Sequence, residues 1–230
     1  MTYMTSTGRH FQAGIDELKR ELATQGATVA TRLAHAVRGL ASRDIHALDE
    51  VAIGDAEVNA RQMAIDDKAF KLLALQQPVA IDLRVIVAAI KVNADLERIG
   101  DLAVNIAEAS RRYLDYGQIV EQELLPRMAD AAQAMLQWAL EAFVHGNVGL
   151  AQSVLERDDA LDTLRDQAFR RLADTMSKNP GVIPSVLELM LVARHLERIG
   201  DHATNIAEDV FFVVAGEDVR HHAHGLATSE

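Results

Sequence analysis

The chain has 230 residues, enough for one large domain or two small ones, and 34 Asp and Glu outweigh 23 Lys and Arg for a formal net charge of -11. Affinity for nucleic acid and for anionic membranes comes largely from clustered basic residues, so this balance argues against both as general partners. With zero cysteines, disulfides, thiolate zinc sites and cysteine nucleophiles are excluded together.

Apolar runs such as VIVAAI at 85–90 fall far short of the roughly 20 residues that cross a bilayer. The opening stretch MTYMTSTGRHFQAG carries no apolar core of a secretion signal. The expectation is a soluble cytoplasmic protein. Abundant Ala and Leu, only four prolines and 4% aromatics are the composition of close-packed helices, so the predicted class is all-α.

In chain order, the 3.6-residue apolar period and the helix breakers predict about six helices. The first runs from about Arg9 to Leu40, with Phe11, Ile15, Leu18, Leu22, Val29, Leu33 and Val37 on one stripe. Ser42 or Asp44 can cap a second that reaches Gln77, where Pro78 stops it. The third spans about Ile81 to Tyr113 and the fourth about Glu123 to Val144, ending at HGN, 145–147. The fifth spans about Val148 to Ser177, and the loop NPGVIP, 179–184, leads into a sixth that ends near Val214. Long helices on short connections pack antiparallel. The expected architecture is two tandem homologous three-helix bundles, residues 1–118 and 119–215. The remainder, 216–230, is a histidine-containing tail expected to be disordered, with weak metal binding through HHAH as the lesser reading.

The division into halves rests on a repeat. LERIGDLAVNIAE, 96–108, returns as LERIGDHATNIAE, 196–208, with Leu102 and Val104 replaced by His202 and Thr204 and every acid kept. A shift of 103 residues lays 44–59 over 147–162, matching Asp55 to Asp158 and Asn59 to Asp162. Cores tolerate many apolar combinations, so polar identities held this tightly ask for a polar reason.

On a helical wheel Glu97, Asp101, Asn105 and Glu108 fall within an arc of about 80°, opposite Leu96, Ile99, Ala103, Ile106 and Ala107. Glu197, Asp201, Asn205 and Glu208 repeat the stripe. Acids at i,i+4 repel, and Arg98 can answer only one of its neighbours. Hairpin arithmetic brings Asp55 of the second helix level with Asp101, and Asp158 and Asp162 of the fifth level with the second stripe. Oxygen ligands from two helices, without cysteine, suit a hard or borderline cation such as Mg²⁺, Mn²⁺ or iron, with zinc also open. The competing reading is a solvated acidic face that binds nothing. Gly100 and Gly200, costly in mid-helix, point to close helix–helix approach. In QQPVAIDLR, 76–84, Pro78 makes the turn, Asp82 suits the start of the next helix, and Arg84 at the bundle tip is a candidate partner contact. No glycine-rich phosphate loop, G-x-S-x-G or placed catalytic triad is found, so no catalytic residue is assigned and the protein is not expected to be an enzyme. A carboxylate-bridged metalloenzyme and a metal-free helical scaffold remain the alternatives.

QQPVAIDLR followed by NADLERIGDLAVNIAE, and HLERIGDHATNIAED in the second half, resemble the PhoU family, regulators associated with phosphate-specific transport, over about residues 10–215. The resemblance implies two three-helix bundles in tandem, a homodimer and a non-enzymatic role. It also implies restraint of phosphate uptake and repression of the phosphate-starvation response. The implied partners are the ATPase subunit of the phosphate ABC transporter and a sensor histidine kinase, with membrane association through partners only. The family's metal motifs fall on Glu97 and Asp101 and on Glu197 and Asp201, while Asp55, Asp158 and Asp162 come from the hairpin geometry. The turn NPGVIPSV departs from QPVAIDLR, so the Asp82/Arg84 tip belongs to the first half alone.

Overall fold

A computed structural model describes residues 6–53, 55–116 and 123–216, with side chains for all of these except 6–9, 55–57 and 76. Among the described residues all regular structure is helical. In chain order the elements are α1 (Ser6–Ser42), α2 (Ile45–Ile53), α3 (Asp55–Gln76), α4 (Ile81–Leu114), α5 (Leu124–His145), α6 (Val148–Lys178) and α7 (Ile183–Ala215). A short 3-10 turn, Pro180–Val182, precedes α7. The second helix expected from the sequence falls on α2 and α3, either side of residue 54, which lies outside the described residues. The histidine-containing tail, from 217 on, lies outside them too.

Helix ends follow local chemistry. Asp44 rather than Ser42 caps α2, its Oδ1 accepting the Ala47 N–H at 3.2 Å. Ser42 instead donates back to Arg38 O at 2.7 Å, closing α1. Gly146 takes the left-handed conformation after α5, with φ 65°, and Asn147 accepts the Leu150 N–H at 3.1 Å to start α6. Asp82 sits in the first turn of α4, where its charge suits the helix dipole, but no side chain caps that helix.

The α1 stripe expected from the sequence is the one buried: Ile15, Leu18, Leu22, Val29 and Leu33 are in the core, with Phe11 and Val37 packed against it. One polar residue interrupts the buried face, Gln25, whose Nε2 donates to Val58 O across to α3 at 3.1 Å. The core is continuous from α1 to α7. Its centre is α4 against α7, which bury Leu96, Ile99, Ala103 and Ile106 and their repeat counterparts Leu196, Ile199, Ala203 and Ile206. At roughly 1.5–3 kcal/mol per large apolar side chain, this burial dominates stability.

Both mid-helix glycines are points of close approach. A Cβ on Gly200 would collide with Leu161 Cδ2 of α6, and one on Gly100 would stand 3.3 Å from Val58 Cγ1 of α3. Leu161 and Val58 are equivalent in the repeat, so both halves use the same register between their last two helices.

The seam between halves also carries polar pairs. Arg84 Nε donates to Val213 O at 3.2 Å, Lys91 Nζ to Asp209 Oδ1 at 2.8 Å, and Arg112 Nε to Glu188 Oε2 at 3.0 Å. Lys91 also lies 5.0 Å over the Phe212 ring. At the centre, buried His202 places Nδ1 2.8 Å from Oδ1 of buried Asp95, and Asn205 Nδ2 approaches the same oxygen at 3.4 Å.

Two substitutions test these contacts by thermal unfolding. Gly200→Val is expected to cost about 1–3 kcal/mol by overpacking against Leu161. Asp95→Ala is expected to cost about 1–3 kcal/mol by leaving His202 without its partner. An unchanged melting temperature in either would contradict the assigned role.

Candidate functional site: the carboxylate stripes

In the second half α6 and α7 bring all four expected acids to one surface. Asp158 and Asp162 rise from α6 and Glu197 and Asp201 from α7, because the Leu161–Gly200 contact sets the two helices level. Asp158 Oδ1 lies 3.7 Å from where a Cβ on Gly200 would stand, so that glycine also makes room for the acid. Glu197 is nearly buried, its side chain 16% exposed.

The electrostatics are those of crowded like charges. Burial, followed by Asp201, Asp162, Asp159 and Glu197, pushes the Asp158 carboxyl up from an ordinary 3.8 to about 6. Burial and Asp201 raise Glu197, with Arg165 pulling the other way. Desolvation by the facing helix and the charge of Asp162 raise Asp201, against His202, Arg165 and Arg198.

The sequence reading missed the cation among these acids. Arg165 contacts Glu197 Oε1 through Nη1, which lies 3.3 Å from Asp162 Oδ1. Its Nε and Nη2 donate to Asp166 Oδ1 at 3.1 and 3.0 Å. The available signal was its place three residues after Asp162, on the same side of the helix. Arg98, weighed as a counter-ion to Asp101, instead turns back to Asp95, at 3.8 Å. His202, although beside Asp201 in sequence, is taken by Asp95 at the seam.

In the first half Glu97 is half-buried and Asp101 exposed on α4, while the Asp55 side chain lies outside those described. Asn59 is half-buried on α3, beside Val58, which meets Gly100. The residue equivalent to Arg165 is Gln62, whose backbone carbonyl accepts from Asn93 Nδ2 at 2.9 Å. The two sites therefore share the ERIGD acids, with Asn59 standing in the first half where Asp162 stands in the second and Gln62 where Arg165 stands.

Carboxylate oxygens from two helices are chemically suited to a hard divalent cation. Among the described residues no three acid or histidine side chains converge closely enough to hold one. In the second half a guanidinium already stands between Asp162 and Glu197. A metal would need Arg165 to withdraw from those oxygens. The two tip residues, Asp82 and Arg84, are both half-buried, and Arg84 reaches across the seam to Val213 O.

The class defined by this geometry is a duplicated helical bundle whose copies each present an ERIGD acidic stripe. The PhoU domain signature matches the chain twice, at residues 22–110 and 125–210, and the chain belongs to the PhoU family. It is 36% identical over 214 residues to the phosphate-specific transport system accessory protein PhoU homolog of Pseudomonas aeruginosa, covering 93% of this chain and 88% of that one. With the Caulobacter vibrioides homolog of the same name it shares 34% identity, covering 93% of both chains. The crystal structure of PhoU from Pseudomonas aeruginosa superposes with a TM-score of 0.87 at 34% identity, covering 90% of this chain and all of that one. The phosphate transport system regulatory protein PhoU from Streptococcus pneumoniae superposes with a TM-score of 0.85 at 28% identity, covering 91% and 99%. These are accessory and regulatory proteins, not enzymes. No described helix is long and apolar enough to cross a membrane.

The crowded acids make a pH prediction. Folding favours the proton on Asp158, so its contribution to stability is full below its ordinary pKa of 3.8 and is lost as pH rises through about 6. At pH 7, in chelator, Asp158→Asn should therefore raise stability by about 1 kcal/mol, allowing for solvent screening at a half-exposed site. Near pH 4 the advantage should vanish. Melting curves at both pH values check this, and a pH-independent difference would contradict it.

Proposed function

We propose that this chain is a cytoplasmic accessory regulator of phosphate-specific transport. It restrains phosphate uptake and represses the phosphate-starvation response. It works as a homodimeric adaptor between the ATPase subunit of the phosphate ABC transporter and a sensor histidine kinase. The observation that carries this reading is the end-to-end likeness to named accessory proteins, spanning 93% of both chains in one case. An adaptor needs surfaces rather than a reaction centre, and the α3–α4 tip supports one. Leu75, Val79, Ile81 and Leu83 are large apolar residues left exposed there around Asp82 and Arg84. Two non-glycine residues of the tip, Gln77 and Ala80, hold positive φ of 46° and 51°, a conformation that costs about 1–3 kcal/mol each and clusters at functional turns.

Metal on the stripes is the second element of the proposal. Asp158, Asp162, Glu197 and Asp201 would hold a divalent cation or iron in the second half, and Asp55, Glu97 and Asp101 in the first. The cation would add positive charge among the crowded acids. Support comes from the raised carboxyls of Asp158, Glu197 and Asp201 and from the duplication of the motif.

In the organism that carries it, deletion of the gene should derepress a phosphate-responsive reporter about tenfold or more in phosphate-rich medium. The wild-type gene should restore repression and Asp82→Ala/Arg84→Ala should restore it poorly. A reporter and a phosphate uptake rate both unmoved by deletion would end the regulatory reading. Metal analysis of tag-free protein should find stoichiometric metal that disappears in Glu97→Gln/Asp101→Asn/Glu197→Gln/Asp201→Asn. Equal, substoichiometric content in both proteins would remove the metal from the account.

A further inference from the structure

Helices α5 and α6 do not close on their outer side. Between them runs an open groove of about 580 Å³. Buried Ala131 and half-buried Leu164 form its apolar floor, with Ala160 beside them, and Arg127 and Arg157 stand along its edges. The Arg157 guanidinium carbon lies 5.6 Å over the ring of Trp138, which fixes its direction without a carboxylate. Among the described residues neither arginine makes an ion pair, and Asp130 is the one acid of the lining. In a chain of net charge -11, two guanidinium groups on one groove, neither paired with an acid among the described residues, make a local positive site.

The spacing says what kind of anion fits. α5 and α6 run antiparallel from the turn at Gly146 and Asn147, so Arg127 and Arg157 stand roughly 14 Å apart along the helix axes. One small anion cannot meet both. The floor between them is apolar, which a bare polyanion would not use, whereas an amphipathic helix laid into a groove uses both kinds of surface. We propose that the α5–α6 groove docks an acidic amphipathic helix of another protein. Its apolar residues sit on Ala131, Ala160 and Leu164, and its carboxylates meet Arg127 and Arg157. The proposal stands apart from the phosphate and metal readings.

Trp138 is the only tryptophan of the chain and stacks under Arg157, so its emission reports on the Arg157 edge of the groove. The full-length protein is titrated with a synthetic peptide of about 18 residues, Leu at helical spacing and Glu elsewhere. A counterpart with Lys in place of Glu, and long-chain inorganic polyphosphate, are titrated in parallel. The Glu peptide should bind and shift the Trp138 emission. Its affinity should fall about tenfold or more in Arg127→Gln/Arg157→Gln, and also as salt is raised to about 0.5 M. The Lys peptide should not compete. Circular dichroism of the variant, altered at two exposed positions, should match that of the wild type. The proposal is overturned if the Glu peptide does not bind or binds wild type and variant alike. It is overturned equally if polyphosphate alone shows the arginine dependence, which would mark a polyanion site, or if the arginines prove instead to control self-association.

Discussion

The seam of α4 on α7 is the contact from which the rest of the molecule is built. These are the two copies of one helix, running in opposite directions, so that Arg84 meets the end of α7 and Arg112 its beginning. Each seam helix is buried on more than one side, towards its own bundle and towards its twin. That double burial is why small residues such as Ala88, Ala103, Ala109 and Ala203 are fully enclosed there. The remaining helices attach to the outer sides of this pair. The carboxylate stripes lie at the edge of the apolar surface of this pair, with Glu97 and Glu197 partly covered and Asp101 and Asp201 exposed. Their position follows from packing, and their polarity is what packing does not require.

Much of this was legible in the sequence because periodicity and duplication are local signals. The all-α class, the turns at HGN and NPGVIP, the buried stripe of α1 and the level placement of Asp158 with Asp201 all follow from spacing within or between neighbouring helices. Gly100 and Gly200 signalled close approach before any partner atom was known. The cross-seam network carried no such signal. Asp95 and His202 are 107 residues apart, and nothing in either helix alone says that they meet. Arg165 carried a weak signal because it sits on the helix facing the ERIGD acids, whereas Arg98 lies beside them in sequence. A comparison of the copies contained a hint: the repeat replaces apolar Leu102 by His202, and the substituted position is the one that enters the seam.

Charge is distributed with a division of labour. The acids of the second stripe face Arg165 and one another, and burial, with their mutual repulsion added, leaves three carboxyls harder to ionise than usual. Elsewhere cations are shared between acids, as with Lys68 between Glu17 and Glu21. Arg127 and Arg157 instead border an apolar groove, which sets that surface apart from the stripes. The apolar tip around Pro78 and the α5–α6 groove lie on different helices.

The polar pairs of the seam are one-sided. Lys91 and Asp95 lie on α4 and their partners Asp209 and His202 on α7, yet the repeat places Leu191 and His195 where the first pair stands and Ala109 and Leu102 where the second does. Two first halves set together would strand a lysine against an alanine and a buried aspartate against a leucine. Two second halves would lose the same pairs from the other side. The duplication is therefore not interchangeable: each bundle supplies the seam partners that the other needs, and a symmetric pair of either half would leave those side chains mismatched.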